Sequence, residues 1–407
     1  MEHRFVREIE QALSWPGPSM LGKEFTRGSV SDSSLPTRLL TPHKLLDLIM
    51  RRSLSAPQFR CFRAGEELHP SRFLSDSVSR RGQSIRIPDM RRLGRLLDDG
   101  CTLVLDEVNF FDPTMEVACR ALQWWSHELV QVNTYLTTQD AAGFSLHWDD
   151  HDVVIIQLAG EKSWEVRGAS RVAPMYRDAE PNNEPPEDVL WAGTMRPGDV
   201  MHIPRGYWHQ ATRTDRGDGY SLHATFGFVK RAGANWIAWL ADRAREHELF
   251  RHDLERWSTS ASIEAQQEAL TQAAAELLKA HTPSEFLSAR EEQRPASRHV
   301  PHLPIFGNLT DVVCVTEFPP HVREDGGAVT VQAAGKKITF AAKAAPALRM
   351  LLSGAPARVA DVAEETGVDA AQLANVLVKE ELCAQLTPEL FSAYTGLVMN
   401  ETFSKAL

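Results

Sequence analysis

Gly143-Phe144-Ser145-Leu146-His147-Trp148-Asp149-Asp150-His151-Asp152, then Val153-Val154-Ile155-Ile156-Gln157-Leu158-Ala159-Gly160-Glu161-Lys162-Ser163-Trp164-Glu165-Val166, decides how the rest of the chain is read. His147 and Asp149 stand two residues apart, so an extended backbone sends both side chains to one face. Val153–Leu158 is an unbroken apolar, β-branched run, the pattern of a strand buried on both faces. Ala159-Gly160-Glu161 is a tight connection, after which Ser163–Val166 returns as the next strand. Downstream, Pro197-Gly198-Asp199 turns the chain into a further strand, Val200–Ile203, and His209 follows the bend at Pro204 and Gly206.

A His-x-Asp pair plus one distant His is the donor set of a two-His, one-carboxylate triad. Such a set leaves adjacent coordination positions open and suits Fe(II) oxygen chemistry. A single histidine is more often a core or surface residue than a ligand, so the ordered ensemble carries the reading. His209 and His223 both compete for the third position. Tyr220–Phe228 alternates, with Ser221, His223 and Thr225 on one face. Val130–Thr137 alternates too, placing Asn133, Tyr135 and Thr137 together.

This stretch resembles the JmjC/cupin 2-oxoglutarate oxygenases, and among them the ribosomal oxygenases, which hydroxylate ribosomal proteins. Gln157–Trp164 and Pro204-Arg205-Gly206-Tyr207-Trp208-His209-Gln210-Ala211 carry the resemblance, which spans about Asn133–Gly227. It implies an α+β fold: a double-stranded β-helix (cupin/JmjC jelly roll), then a helical dimerisation segment and a winged-helix-like C-terminal domain. It favours His209 over His223, giving His147, Asp149 and His209 as ligands of Fe(II). It also implies 2-oxoglutarate as cosubstrate, with Lys162 of the Gly-x-Lys-x-Trp pattern on its distal carboxylate. Tyr135, Asn133 and Thr225 are the further expected contacts, and the expected product is a hydroxylated His or Arg of a ribosomal protein. The same metal motif serves a lysine demethylase or a hydroxylase of a peptide or small molecule. Metal-dependent isomerases need no distal carboxylate anchor, so Lys162 speaks against them.

The 407 residues suffice for two or three domains. We divide them into a lead-in (1–100), the catalytic core (101–232), a helical segment (233–300) and a C-terminal unit (301–407). The net charge of −10 argues against a protein whose main business is holding nucleic acid. Arg38–Arg95 nonetheless holds 13 Lys/Arg against 5 Asp/Glu, which reads as a solvated basic surface because no aromatic platform is interleaved. Five scattered cysteines without a Cys-x-x-Cys fit a reducing cytoplasm. Met1–Trp15 lacks the apolar core of a signal peptide, and no run of apolar residues is long enough to span a membrane.

Helices are expected over Phe5–Leu13, Thr41–Met50, Met90–Asp98 and from Asp112-Pro113 to about Trp125, with a Ser-rich loop over Gly28–Pro36. Arg167–Leu190, rich in Pro and Asn, is expected to lie over the barrel mouth. Beyond Asn235 the apolar period turns helical: Ala234–Leu249, Ala261–Ala280 and Pro283–Arg290, then a linker over Arg290–Pro304. Ala328–Ala333 and Lys337–Phe340 form a hairpin. Val359–Thr366 and Asp369–Glu381 form a helix–turn–helix. That second helix carries Asp369, Glu380 and Glu381 against Lys379 alone, so it would repel phosphates, and DNA regulation is disfavoured.

Overall fold

The computed structural model describes residues 3–175, 183–297 and 300–398. Asp152–Gly160 is a strand whose first seven residues are buried. It lies inside an eight-stranded sheet ordered Thr26–Ser29, Asp199–Ile203, Asp152–Gly160, Tyr220–Val229, Leu129–Thr138, Thr102–Leu105, Phe59–Arg63, Glu66–Glu67. A second sheet has three strands, Val189–Met195, Lys162–Ala169 and Tyr207–Thr212. Every pairing in both is antiparallel.

The apolar run is continuous because both of its faces are covered. Val153 and Ile155 meet Trp164, Val166, Met201 and Ile203, a core shared by the two sheets. Val154, Ile156 and Leu158 point the other way, into the core under the helices. Burying each such side chain is worth roughly 1.5–3 kcal/mol, so a one-residue slip, which exchanges the faces, is strongly disfavoured. Lys162–Ala169 does not pair with the strand it follows. Glu161 alone separates the two, and at Gly160 (φ +61°) the chain crosses to the second sheet; a Cβ there would lie 1.8 Å from the Tyr220 carbonyl oxygen.

Helices coat the outer face of the large sheet. Arg4–Leu13 buries Phe5, Val6, Ile9 and Leu13. Pro42–Arg51, Met90–Asp98 and Pro113–Ser126 each begin at a side chain that accepts a backbone N–H: Thr41, Asp89 and Asp112. The Ser-rich stretch is more ordered than its composition suggests. Thr26–Ser29 pairs with Asp199–Ile203 at the sheet edge, and Leu35–Leu39 is a short helix. The partner strand is 170 residues away, and local composition cannot report it.

Gly233–Ala244, Glu248–Arg251, Ser260–Ala280 and Pro283–Gln293 follow as helices. The expected helix over Ala234–Leu249 breaks at 245–247, where Arg251 Nη1 donates to the Arg245 and Glu246 carbonyls. Leu240 and Leu277 are the buried residues of these four helices. The last unit has its own core, built from the sheets Ala357–Arg358/Asp311–Cys314/Cys383–Gln385 and His321–Asp325/Ala328–Ala333/Lys336–Ala341, and the helices Ala345–Leu351, Val359–Thr366 and Ala370–Lys379. It is fastened to the sheet-covering helix by Trp124 Nε1 on the Thr316 carbonyl (2.9 Å) and Gln123 Nε2 on the Glu317 carbonyl (2.7 Å). Among the described residues no helix is long and apolar enough to cross a membrane.

Candidate metal and cosubstrate site

The two histidines of the expected triad are brought together by backbone pairing. His147 N–H donates to the His209 carbonyl (3.1 Å) and His209 N–H to that of His147 (2.7 Å), an isolated bridge between the segment before Asp152 and the strand Tyr207–Thr212. Gly206 N–H on the Asp149 carbonyl (2.9 Å) holds the residue between them. One ligand atom from each of His147, Asp149 and His209 then lies within 4.8 Å of the others. His147 Nδ1 donates to the Ser145 carbonyl (2.8 Å) and His209 Nδ1 to that of Tyr207 (3.1 Å). Because carbonyls only accept, each Nδ1 carries the proton and each Nε2 keeps a lone pair. His209 Nε2 stands 3.6 Å from Asp149 Oδ2. Burial pushes the His209 imidazole down to about 4, so it is neutral and able to ligate at neutral pH. Two imidazole lone pairs and a carboxylate converging at this spacing fit a divalent first-row metal.

Gly143 makes that bridge possible. A Cβ on it would lie 1.7 Å from the carbonyl oxygen of Ala211, two residues past His209. Gly143→Ala must therefore push the two segments apart. Loss of about 2–3 kcal/mol of stability is expected, with weaker Mn(II) binding, measured by thermal melting and titration calorimetry on the same preparation.

Next to the triad, ring contacts close a circuit: His147–His209, His209–Trp164, Trp164–His223, His223–Tyr135, Tyr135–Phe144 and Phe144–His147, at centroid separations of 4.4–6.5 Å. His223 is not among the grouped ligand atoms. Its ring stacks on Tyr135 at 4.8 Å, and its buried Nδ1 has no hydrogen-bond partner among the described residues. Desolvation and the neighbouring Lys162 keep it neutral.

Lys162 is 2% exposed, which excludes a surface hairpin lysine. Its Nζ donates to Thr137 Oγ1 (3.0 Å), and no carboxylate among the described residues pairs with it. Burial, with the Arg213 charge adding, pushes its ammonium down to about 7. Thr137 is not among the contacts expected from the sequence, yet it is the residue that accepts from this lysine. The parity shared by residues 133, 135 and 137 was the available signal. Tyr135 is half-buried; desolvation pushes its hydroxyl up, with the Asp149 and Asp106 carboxylates adding and Asn133 opposing. Asn133 Oδ1 accepts the Glu107 N–H (2.9 Å), and Thr225 stands opposite Asn133 in register. Trp164 Nε1 is a further buried donor without a partner. A buried ammonium lacking a counter-charge, beside an unused indole N–H and a tyrosine hydroxyl, fits a small carboxylate.

A cavity of about 580 Å³ is lined by Gly22, Asp150–Asp152, Gly168–Ala173, Leu190, Pro204, Arg205, Tyr207 and Lys230, and none of His147, Asp149 and His209 lines it. Residues 176–182 of the expected mouth-covering segment lie outside the described residues.

Residues 109–235 match the JmjC domain model. The bifunctional lysine-specific demethylase and histidyl-hydroxylase NO66 of Dictyostelium discoideum is 32% identical over 152 residues, 36% of this chain and 29% of that protein. Ribosomal oxygenase 1 of Gallus gallus is 32% identical over 136 residues, 33% of this chain and 22% of that protein. The chain spans under a third of the length of these curated relatives. Among solved structures, E. coli YcfD superposes with a TM-score of 0.57 at 18% identity, covering 94% of this chain and 99% of that one. A structure of the same protein, described as a ribosomal oxygenase in complex with cobalt and 2-oxoglutarate, gives 0.54 at 17% identity with the same coverage. The matched segment, residues 109–235, contains the histidine–aspartate bridge, and the fold similarity runs through nearly the whole chain; residues 109–235 are thus similar to a JmjC domain.

Proposed function

We propose that this protein is an Fe(II)- and 2-oxoglutarate-dependent dioxygenase that hydroxylates a protein side chain, His or Arg of a ribosomal protein. The observation that carries the reading is the pairing of a convergent His147/Asp149/His209 donor set with a buried lysine that has no counter-charge. The names of the relatives support the substrate class. His147, Asp149 and His209 would hold the metal. Lys162 would take the distal carboxylate of 2-oxoglutarate, with the Tyr135 hydroxyl beside it and Asn133 and Thr225 on the same wall. When bound, the metal and cosubstrate supply oxygen activation coupled to oxidative decarboxylation. The chain's part is to orient and exclude: the Nδ1–H donors fix both imidazoles, Thr137 aims Lys162, and the aromatic circuit keeps water from the reacting face.

The test is anaerobic loading with Fe(II) and 2-oxoglutarate, then succinate release in air with candidate ribosomal proteins, followed by mass spectrometry. A gain of one oxygen on the target supports hydroxylation. Formaldehyde from a methylated lysine substrate would favour the second reading, demethylation, which the names of the NO66 relatives keep in view. Absence of both metal and 2-oxoglutarate binding would sink the enzyme.

The chain divides in this reading at about residues 100, 232 and 300. The helices over 233–293 form the homodimer interface in this reading: Ile237, Trp257, Leu278 and Leu287 are exposed, Trp257 at 92%. Sedimentation should give twice the 45.5 kDa chain mass, and Ile237→Asp with Leu278→Asp should return the monomer. The C-terminal unit is winged-helix-like. The helix Ala370–Lys379 is followed by Glu380 and Glu381, both on Lys336 at 3.6 Å, which disfavours its entry into a DNA groove. A protein-contact role fits it better. Five free, buried cysteines are in keeping with a reducing cytoplasm.

A further inference from the structure

Among the described residues, strands Leu74–Val78 and Ser84–Pro88 pair only with each other. The hairpin they form turns at residues 79–83, with Arg80 and Arg81 exposed at the tip. Helix Met90–Asp98 begins immediately after it and is fastened to its base, where Arg92 Nη1 donates to the Ser71 (3.1 Å) and Leu74 (3.0 Å) carbonyls. Arg72, Arg91 and Arg95 are exposed around that base. From Pro70 to Asp98, the end of that helix, the sequence holds seven Arg (72, 80, 81, 86, 91, 92, 95), no Lys, and three acids, Asp76, Asp89 and Asp98, a local balance of 7 − 3 = +4 within a chain of −10. Two of the three acids are already used, Asp76 on Arg86 (3.4 Å) and Asp89 on Arg92 (3.2 Å). Arg72, Arg80, Arg81, Arg91 and Arg95 have no carboxylate partner among the described residues.

We infer that these five arginines form a docking surface for the phosphate backbone of a nucleic-acid duplex. Composition alone favoured a solvated surface. The structure gathers the arginines without counter-charge onto one projecting hairpin and the helix at its base. Five-residue strands separate base and tip by roughly 16 Å, a span of several phosphates along a duplex strand. Guanidinium binds phosphate through paired N–H donors, which lysine cannot do. The segment's only aromatic residue, Phe73, is 1% exposed, so no platform stacks the bases of a single strand. An anionic membrane fits less well. Val78 pairs with Ser84 and Ile85 with Ser77, so the two exposed apolar side chains lie on opposite faces and no single face can insert.

The experiment is fluorescence anisotropy of the full chain with labelled RNA and DNA duplexes of roughly 20 base pairs, across about 50–200 mM salt. Single strands of equal length, phosphatidylserine vesicles and an acidic peptide are run beside them. Four or five phosphate contacts predict a log–log salt slope of about −3.5 to −4.5. Arg80→Glu with Arg81→Glu should weaken duplex binding at least tenfold, whereas the double Lys variant keeps more of it. Melting temperature and Mn(II) binding at the histidine–aspartate site should not move. Absence of duplex binding at low salt, unchanged binding by the double Glu variant, or a preference for single strands, vesicles or the acidic peptide would each overturn the inference.

Discussion

Alanine at His147, Asp149 or His209 should lower Mn(II) affinity by well over 100-fold and abolish succinate formation. Even residues that merely orient a metal ligand change affinity by about 10–100-fold, and these would be the ligands themselves. His223→Gln should leave Mn(II) affinity within a few-fold of wild type, because His223 stacks on Tyr135 rather than joining the triad. The two outcomes together separate a ligand from a buried histidine, since both substitutions disturb strands of the same barrel. Titration calorimetry of the unliganded protein reads the affinity directly, independent of oxygen and substrate. If His223→Gln removed the metal while His209→Ala kept it, the ligand set proposed for this site would be wrong.

The triad was legible because its signals are local. His147 and Asp149 stand two apart just before the apolar run, although neither lies in a strand: His147 forms an isolated bridge to His209, and the strand begins at Asp152. The helix starts at Thr41, Asp89 and Asp112 were legible for the same reason, since a cap lies within three residues of the donor it satisfies. What escaped depends on distant partners. The edge strand Thr26–Ser29 exists because Asp199–Ile203 is there to pair with it. Thr137 matters because a lysine from another sheet reaches it. Arg213, which presses on that lysine's charge, sits where no pattern marks it; its guanidinium holds the Gln139, Glu161 and Tyr220 carbonyls. The order of the sheets was similarly hidden. Gly160 reads as a hairpin turn, whereas the chain there steps between two sheets.

Lys162→Met should abolish 2-oxoglutarate binding and at the same time stabilise the unliganded protein. Methionine keeps much of the side-chain volume and removes the charge. The ammonium is buried, donates to Thr137 and has no counter-ion, so the unliganded fold carries its desolvation. Its folded pKa is about 7, against about 10.4 in an unfolded chain. Between these values the unfolded state binds more protons, so stability rises with pH through the window, and the penalty is fully present below about 7. The gain from Lys162→Met should therefore be largest near pH 6, on the order of 2–4 kcal/mol, and shrink toward pH 10. It would be seen as a higher urea midpoint. Ligand binding runs the other way. A dicarboxylate needs the protonated lysine, so wild-type affinity for 2-oxoglutarate should be greatest below about pH 7. It should fall up to tenfold per pH unit above that, until the pKa of the bound state is reached. In Lys162→Arg the cation stays charged across this range, so any residual affinity should lose the alkaline fall. If Lys162→Met instead destabilised the unliganded protein at pH 6 and bound 2-oxoglutarate normally, Lys162 would be a packing residue and the cosubstrate anchor would have to be sought elsewhere on the barrel wall.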